Sequence, residues 1–171
     1  MFGQGDNQYP GMLATQDIEK DDIICKIPSR EIITTRAAFY SDLQPLFFEH
    51  PELFGKHVQE GEDMILYAFI LHEIQQKEKS QYWHMIRMWP KDTDILMNWD
   101  DEDLEWLQDD TLVNEANKQY DDFMDSWKRL YDTLVLYPKY FQPESISLNR
   151  FKWVYILTTN RCFSSNWPGV C

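Results

Sequence analysis

The chain is 171 residues long, 43% hydrophobic and 15% aromatic, which excludes a disordered tail or low-complexity linker and fits one ordinary folded domain. Its 29 acids against 16 bases leave a formal charge of -13, which excludes a nucleic-acid surface, because phosphate contacts need clustered Lys and Arg. Acidity of this size keeps a chain in solution and turns it towards basic partners.

Cys25, Cys162 and Cys171 lack the paired spacing of a zinc or redox motif, so a reducing compartment is expected. The polar Met1 to Pro10 stretch has no basic n-region or apolar core of a secretory signal. The longest apolar run, "MILYAFIL" from Met64 to Leu71, falls short of the roughly 18 to 20 residues of a membrane span. A cytoplasmic or nuclear protein with no membrane contact is the expectation.

In chain order, "GMLATQDI" (Gly11 to Ile18) and "DIICKIPSREIITT" (Asp22 to Thr35) gather Ile and Thr on either side of a charged turn, a pattern that predicts a β-hairpin. Pro28 places its second arm at an edge, a bulge or a break. From Thr35 the period changes: Ala37, Ala38, Leu43, Leu46 and Phe47 suit a threonine-capped helix that Pro45 breaks or restarts. Met64, Tyr67, Ala68, Leu71 and Ile74 recur at threes and fours and predict a helix over Glu62 to Lys79.

Ser80 to Trp99 carries Pro90 and no clean period, which predicts an ordered loop held by its own aromatic rings. "DDEDLEWLQ" reads as a short helix capped by Asp100, its acids facing the positive end of the dipole. Leu112, Ala116, Tyr120, Phe123, Trp127, Leu130 and Leu134 then form a continuous apolar stripe, read as core. Two prolines follow, Ser147 caps a last helix with Phe151, Val154, Tyr155 and Thr158 on one face, and "SSNWPGVC" ends in a loop.

Generic catalytic signatures are missing: there is no GxSxG elbow, no phosphate loop and no HExxH pair. His50, His57, His72 and His84 are dispersed and read as structural. Adjacent acids such as Asp100/Asp101 and Asp121/Asp122 point away from each other on a helix and supply no acid/base pair. Arg161, after the polar "TTN", either complements the carbonyls of its helix end or serves a site.

Taken together, "YPGMLA", "DIEKDDIICKIP", "REIITT", the Leu71, Glu73, Trp83 pattern, "MWPKDTDILMNW", "LQDDT" and "FKWVYILTTNRCF" resemble, in order, the motifs of the SET-domain protein methyltransferases of the Rubisco large-subunit methyltransferase branch. The resemblance implies an α+β fold: a short N-terminal β-hairpin of a SET fold followed by a predominantly helical insert. Residues 1–171 would form one partial SET domain, with strands over 9–35, the insert over 36–146, and a helix and loop over 147–171 leading to the rest of the SET core. The family's Asn-His pair and orienting tyrosine have no counterpart before Cys171, so the resemblance implies a fragment and assigns no catalytic residue.

It also implies S-adenosylmethionine as cofactor and a protein substrate, methylated on lysine or, as the same branch allows, histidine. By position Gly11, Met12, Leu13 and Arg161 would hold the cofactor, the arginine meeting its carboxylate. Phe163 would line the channel of the uncharged amine. Tyr9 departs from the family's first glycine, and Pro10 removes an N–H. The alternatives are a non-catalytic SET-like module that recognises a basic partner, and a purely helical scaffold with a disordered N-terminal arm.

Overall fold

A computed structural model describes residues 13–58, 60–91 and 95–162, with Arg161 described by its backbone alone. The chain divides into two compact units, Met1–Ile32 and Ile33–Cys171.

The first unit corrects the expected fold class. Among the described residues there is no strand, so the α+β assignment and its N-terminal SET hairpin are overturned, and the fold is helical. The turn between the two arms does form: the Glu19 N–H donates to Asp22 Oδ2 at 2.8 Å, and the Asp22 N–H to Glu19 O at 3.2 Å. Asp21 holds a left-handed φ of 72° within it. No ladder follows, and every residue from Leu13 to Arg30 is exposed. The reason is physical: two strands alone are marginal in water, and Pro28 lacks the N–H that would begin a ladder beyond it. Instead Ser29–Glu31 closes a 3-10 turn.

The second unit is built around one helix. Three short helices come first, α1 (Thr35–Phe39), α2 (Gln44–Glu49) and α3 (Pro51–Phe54). Thr34 Oγ1 accepts the Ala37 N–H at 3.0 Å and starts α1, while Pro45, placed where its missing N–H costs nothing, restarts the chain as α2. Next, α4 (Gly61–Gln76) buries residues on nearly every side, including Met64, Ile65, Phe69, Ile70 and Leu71, which marks a helix at the centre of a core. Gly61 is required at its start, because a Cβ there would lie 2.5 Å from Gly55 O.

The predicted loop contains a short helix, α5 (Trp83–Ile86), and a 3-10 turn at Leu96–Asn98. Then α6 (Asp101–Glu105) is capped by Asp100 as expected, Oδ1 accepting the Asp103 N–H at 2.9 Å. The long helix α7 (Asp110–Leu134) is capped by Asp109 and buries Ala116, Phe123, Leu130 and Leu134. Its stripe is narrower than the sequence suggests, since Leu112 and Tyr120 stay 38% and 45% exposed. The last helix is α8 (Leu148–Arg161), whose Phe151, Val154, Tyr155 and Thr158 are all buried. Ser147 precedes it without capping it, and its hydroxyl donates instead to Glu144 O at 3.3 Å.

Helices α1, α3, α5, α7 and α8 all pack on α4. Tyr67 of α4, Phe123 of α7 and Phe151 and Tyr155 of α8 meet with ring centroids 5.3–6.1 Å apart. Two polar latches complete the assembly. The Gln75 side chain donates to Tyr140 O at 3.1 Å and accepts the Gln142 N–H at 2.8 Å, holding the α7–α8 connector against α4. His50 joins Glu52 at 2.8 Å and the Tyr137 hydroxyl at 2.9 Å, which is the structural role the sequence assigns it.

Candidate functional site

Several raised pKa values gather where the first turns of α4 meet the last turns of α8. Burial, reinforced by Asp63 and Tyr155, pushes the Tyr67 phenol far above its usual range. Burial, with Asp122, Glu60 and Asp63, raises Tyr155 to about 12. The Asp63 carboxyl is itself raised, by partial desolvation against the helix pair and by the neighbouring Glu62. Cys162, an exposed residue just after α8, has its thiol pushed up by partial desolvation and then by Asp63. Both phenols therefore stay neutral at physiological pH and can offer hydroxyl hydrogen bonds, but neither is poised to give up a proton.

The end of α8 is rich in polar side chains. Thr158 donates to the carbonyls of Val154 and Tyr155 at 2.9 Å, Thr159 to Tyr155 O at 2.9 Å, and Asn160 Nδ2 to Ile156 O at 2.8 Å. These side chains fold back on their own helix. Arg161 closes the helix at its negative end, where a cation is favoured, and the Cys162 N–H caps Thr158 O at 3.1 Å.

Of the sequence-predicted residues, Gly11, Met12 and Phe163 lie outside the described residues. Leu13 is 60% exposed in the first unit, and Arg161 ends α8 in the second. The turn assigned to cradle S-adenosylmethionine is described only from Leu13 onwards. No three His, Cys, Asp or Glu side chains among the described residues come together as metal ligands. No helix among them is long and apolar enough to cross a membrane.

Two surface features escaped the sequence reading. One is a groove of about 530 Å³ lined by Asn98, Trp99, Asp103 and Trp106 on the acidic side of α6. The other, about 620 Å³, lies between the Trp83–Lys91 segment and the start of α8. Its signal was present as tryptophans interleaved with cations in "WHMIRMWPK" and "NRFKW", but two segments so far apart reveal a shared groove only once folded.

Known proteins similar to this chain are protein N-methyltransferases. Over 154 residues, 90% of the chain, it is 23% identical to the ribulose-1,5-bisphosphate carboxylase/oxygenase large subunit N-methyltransferases of Pisum sativum and Nicotiana tabacum. Over 118 residues, 67% of the chain, it is 29% identical to ribosomal lysine N-methyltransferase 4 of Saccharomyces cerevisiae. The chain spans 29% of the length of the two plant proteins and 23% of the yeast protein. Similarity at this level supports a protein lysine methyltransferase family. No family model matches the chain, and no solved structure matches it.

Proposed function

We propose that the chain is a partial SET domain of an S-adenosylmethionine-dependent protein methyltransferase that acts on lysine side chains, with histidine the other acceptor the resemblance allows. In this reading residues 36–146 are the family's helical insert. Similarity to protein N-methyltransferases over 90% of the chain carries the proposal. The order of the sequence motifs, ending in "FKWVYILTTNRCF" along α8, supports it.

Methyl transfer from a sulfonium to an amine is an in-line displacement, so the protein's work is to align donor and neutral acceptor and to exclude water. Arg161 is assigned to the donor's carboxylate, Gly11, Met12 and Leu13 to its other polar groups, and Phe163 to the wall of the amine channel. Calorimetric titration of S-adenosylmethionine into the protein expressed from its whole reading frame tests this. Saturable binding that Arg161→Ala weakens roughly tenfold or more, the loss expected for a charge-assisted hydrogen bond, is the expected result. No saturable binding, or equal affinity in the variant, overturns it.

One observation favours a second reading, a module that binds a basic protein. Asp100, Asp101, Glu102, Asp103 and Glu105 are all exposed beside the Trp99/Trp106 groove, with Trp106 itself 78% exposed. A lysine-rich peptide should then bind at low salt and lose affinity in Asp101→Asn/Asp103→Asn. Binding indifferent to that double change removes this reading.

A further inference from the structure

We propose that the groove between the Trp83–Lys91 segment and the start of α8 docks an acidic peptide segment of a protein partner, which lays an apolar side chain against the groove's tryptophans. The inference stands apart from methyl transfer: Arg150 lies eleven residues before Arg161 on the same helix, about 16 Å away along its axis at roughly 1.5 Å per residue.

The walls are built before any ligand arrives. Trp83, Trp89 and Trp153 are half-buried, over a floor that includes the buried Ile74 and Ile86. Trp153 Nε1 donates to Pro90 O at 2.7 Å, which fixes the loop onto α8, and the Trp89 and Trp153 rings sit 5.8 Å apart at 59°. Rings held this way lose little freedom on binding, so the apolar contact they offer is not offset by ordering them. About 620 Å³ is room for an anchoring side chain and its neighbours, in a groove that stays open along its length to solvent.

The rim determines the charge of the occupant. Arg87, Lys91 and Arg150 line the groove, all three are exposed, and none forms an ion pair among the described residues. Cations without an ion pair among the described residues are unexpected in a chain where acids outnumber bases 29 to 16. The helix start adds to the same field. The first turn of α8 carries no acid, and Ser147 leaves its N–H groups without a side-chain cap. Arg150 occupies that turn although the dipole disfavours a cation there.

Carboxylates on the occupant would meet the arginines as charge-assisted, bidentate pairs, and Trp with Arg is the combination that concentrates binding energy at protein interfaces. A nucleic acid or an anionic membrane would present an extended negative surface to a chain of charge -13, whereas a short peptide meets only the local field.

The test is fluorescence-polarisation titration of a labelled peptide of glutamates around a central phenylalanine, with the same peptide carrying lysines as comparison. Saturable binding of the glutamate peptide alone is expected, with affinity falling as salt rises. Arg87→Glu/Arg150→Glu and, separately, Trp89→Ala should each weaken it about tenfold or more, while Lys118→Glu on the exposed side of α7 leaves it unchanged. Circular dichroism of each variant confirms that its helices persist. Equal binding of both peptides, indifference to the Arg87/Arg150 reversal, or full displacement by inorganic phosphate at matched charge would overturn the proposal, the last because it would show a small-anion site.

Discussion

Residues 13–32 and helix α4 are both rich in large aliphatic side chains, yet they meet opposite fates. Ile18, Ile23, Ile24 and Ile27 are 51–73% exposed, while Met64, Ile65, Ile70, Leu71 and Ile74 are at most 5% exposed. The richer apolar run of α4 is only part of the difference. The rest is where each finds its backbone hydrogen bonds. A helix satisfies its own N–H and C=O groups and can then offer a whole cylinder of side chains to neighbours, whereas a strand needs another strand before its side chains gain a face to pack on. Among the described residues the first unit has a turn but no such partner.

That contrast can be broken most sharply in the core. Phe151→Ala removes a 1% exposed ring that stacks on Phe123 at 5.7 Å and meets Tyr67 edge-on at 5.3 Å. Urea unfolding should show a loss of about 3–5 kcal/mol. Next in size, Gly61→Ala forces a methyl to within 2.5 Å of Gly55 O, a backbone atom that cannot swing aside. The same measurement should show roughly 1–3 kcal/mol, the usual cost of overpacking.

A smaller effect depends on pH. Tyr155 has its folded pKa raised from 10.0 to about 12, so its contribution to stability is complete below pH 10 and disappears as pH climbs towards 12. Thermal unfolding across that window should show a steeper alkaline decline for the wild type than for Tyr155→Phe; identical slopes would contradict the burial of this phenol. Smallest of all, Ile24→Ser should change stability by no more than about 0.5 kcal/mol, as for an exposed position away from any packed feature. A loss of several times that would mean that residues 13–32 bury Ile24 in solution.

Much of the second unit was legible because its signals are local. Asp100 caps α6 from three residues away, the 3.6-residue period marks α4 and α7, and Pro45 restarts α2 where a missing N–H costs nothing. The errors share the opposite origin. The hairpin, read from Ile and Thr density, depended on a pairing that local composition cannot supply. Leu112 precedes the first buried position of α7, Ala116, while Tyr120 lies between the buried Ala116 and Phe123 at the edge of the covered face. Ser147 was well placed to cap α8, but its hydroxyl donates to Glu144 O and accepts from no amide of the helix. Arg161 ends a helix as its sequence context suggested, while the neutral phenols of Tyr67 and Tyr155 were missed because their shifts come first from burial between packed helices and then from acids such as Asp63 and Asp122.

The Gln75 latch has a kinetic consequence. One amide side chain stands in for a partner strand, occupying both Tyr140 O and the Gln142 N–H. Solvent deuterium should therefore reach the Gln142 amide only when that bracket releases, so its exchange rate reports the opening of the hinge between α7 and α8 rather than global unfolding. Shortening the bracket with Gln75→Ala would set that hinge free while leaving the helices on either side of it intact.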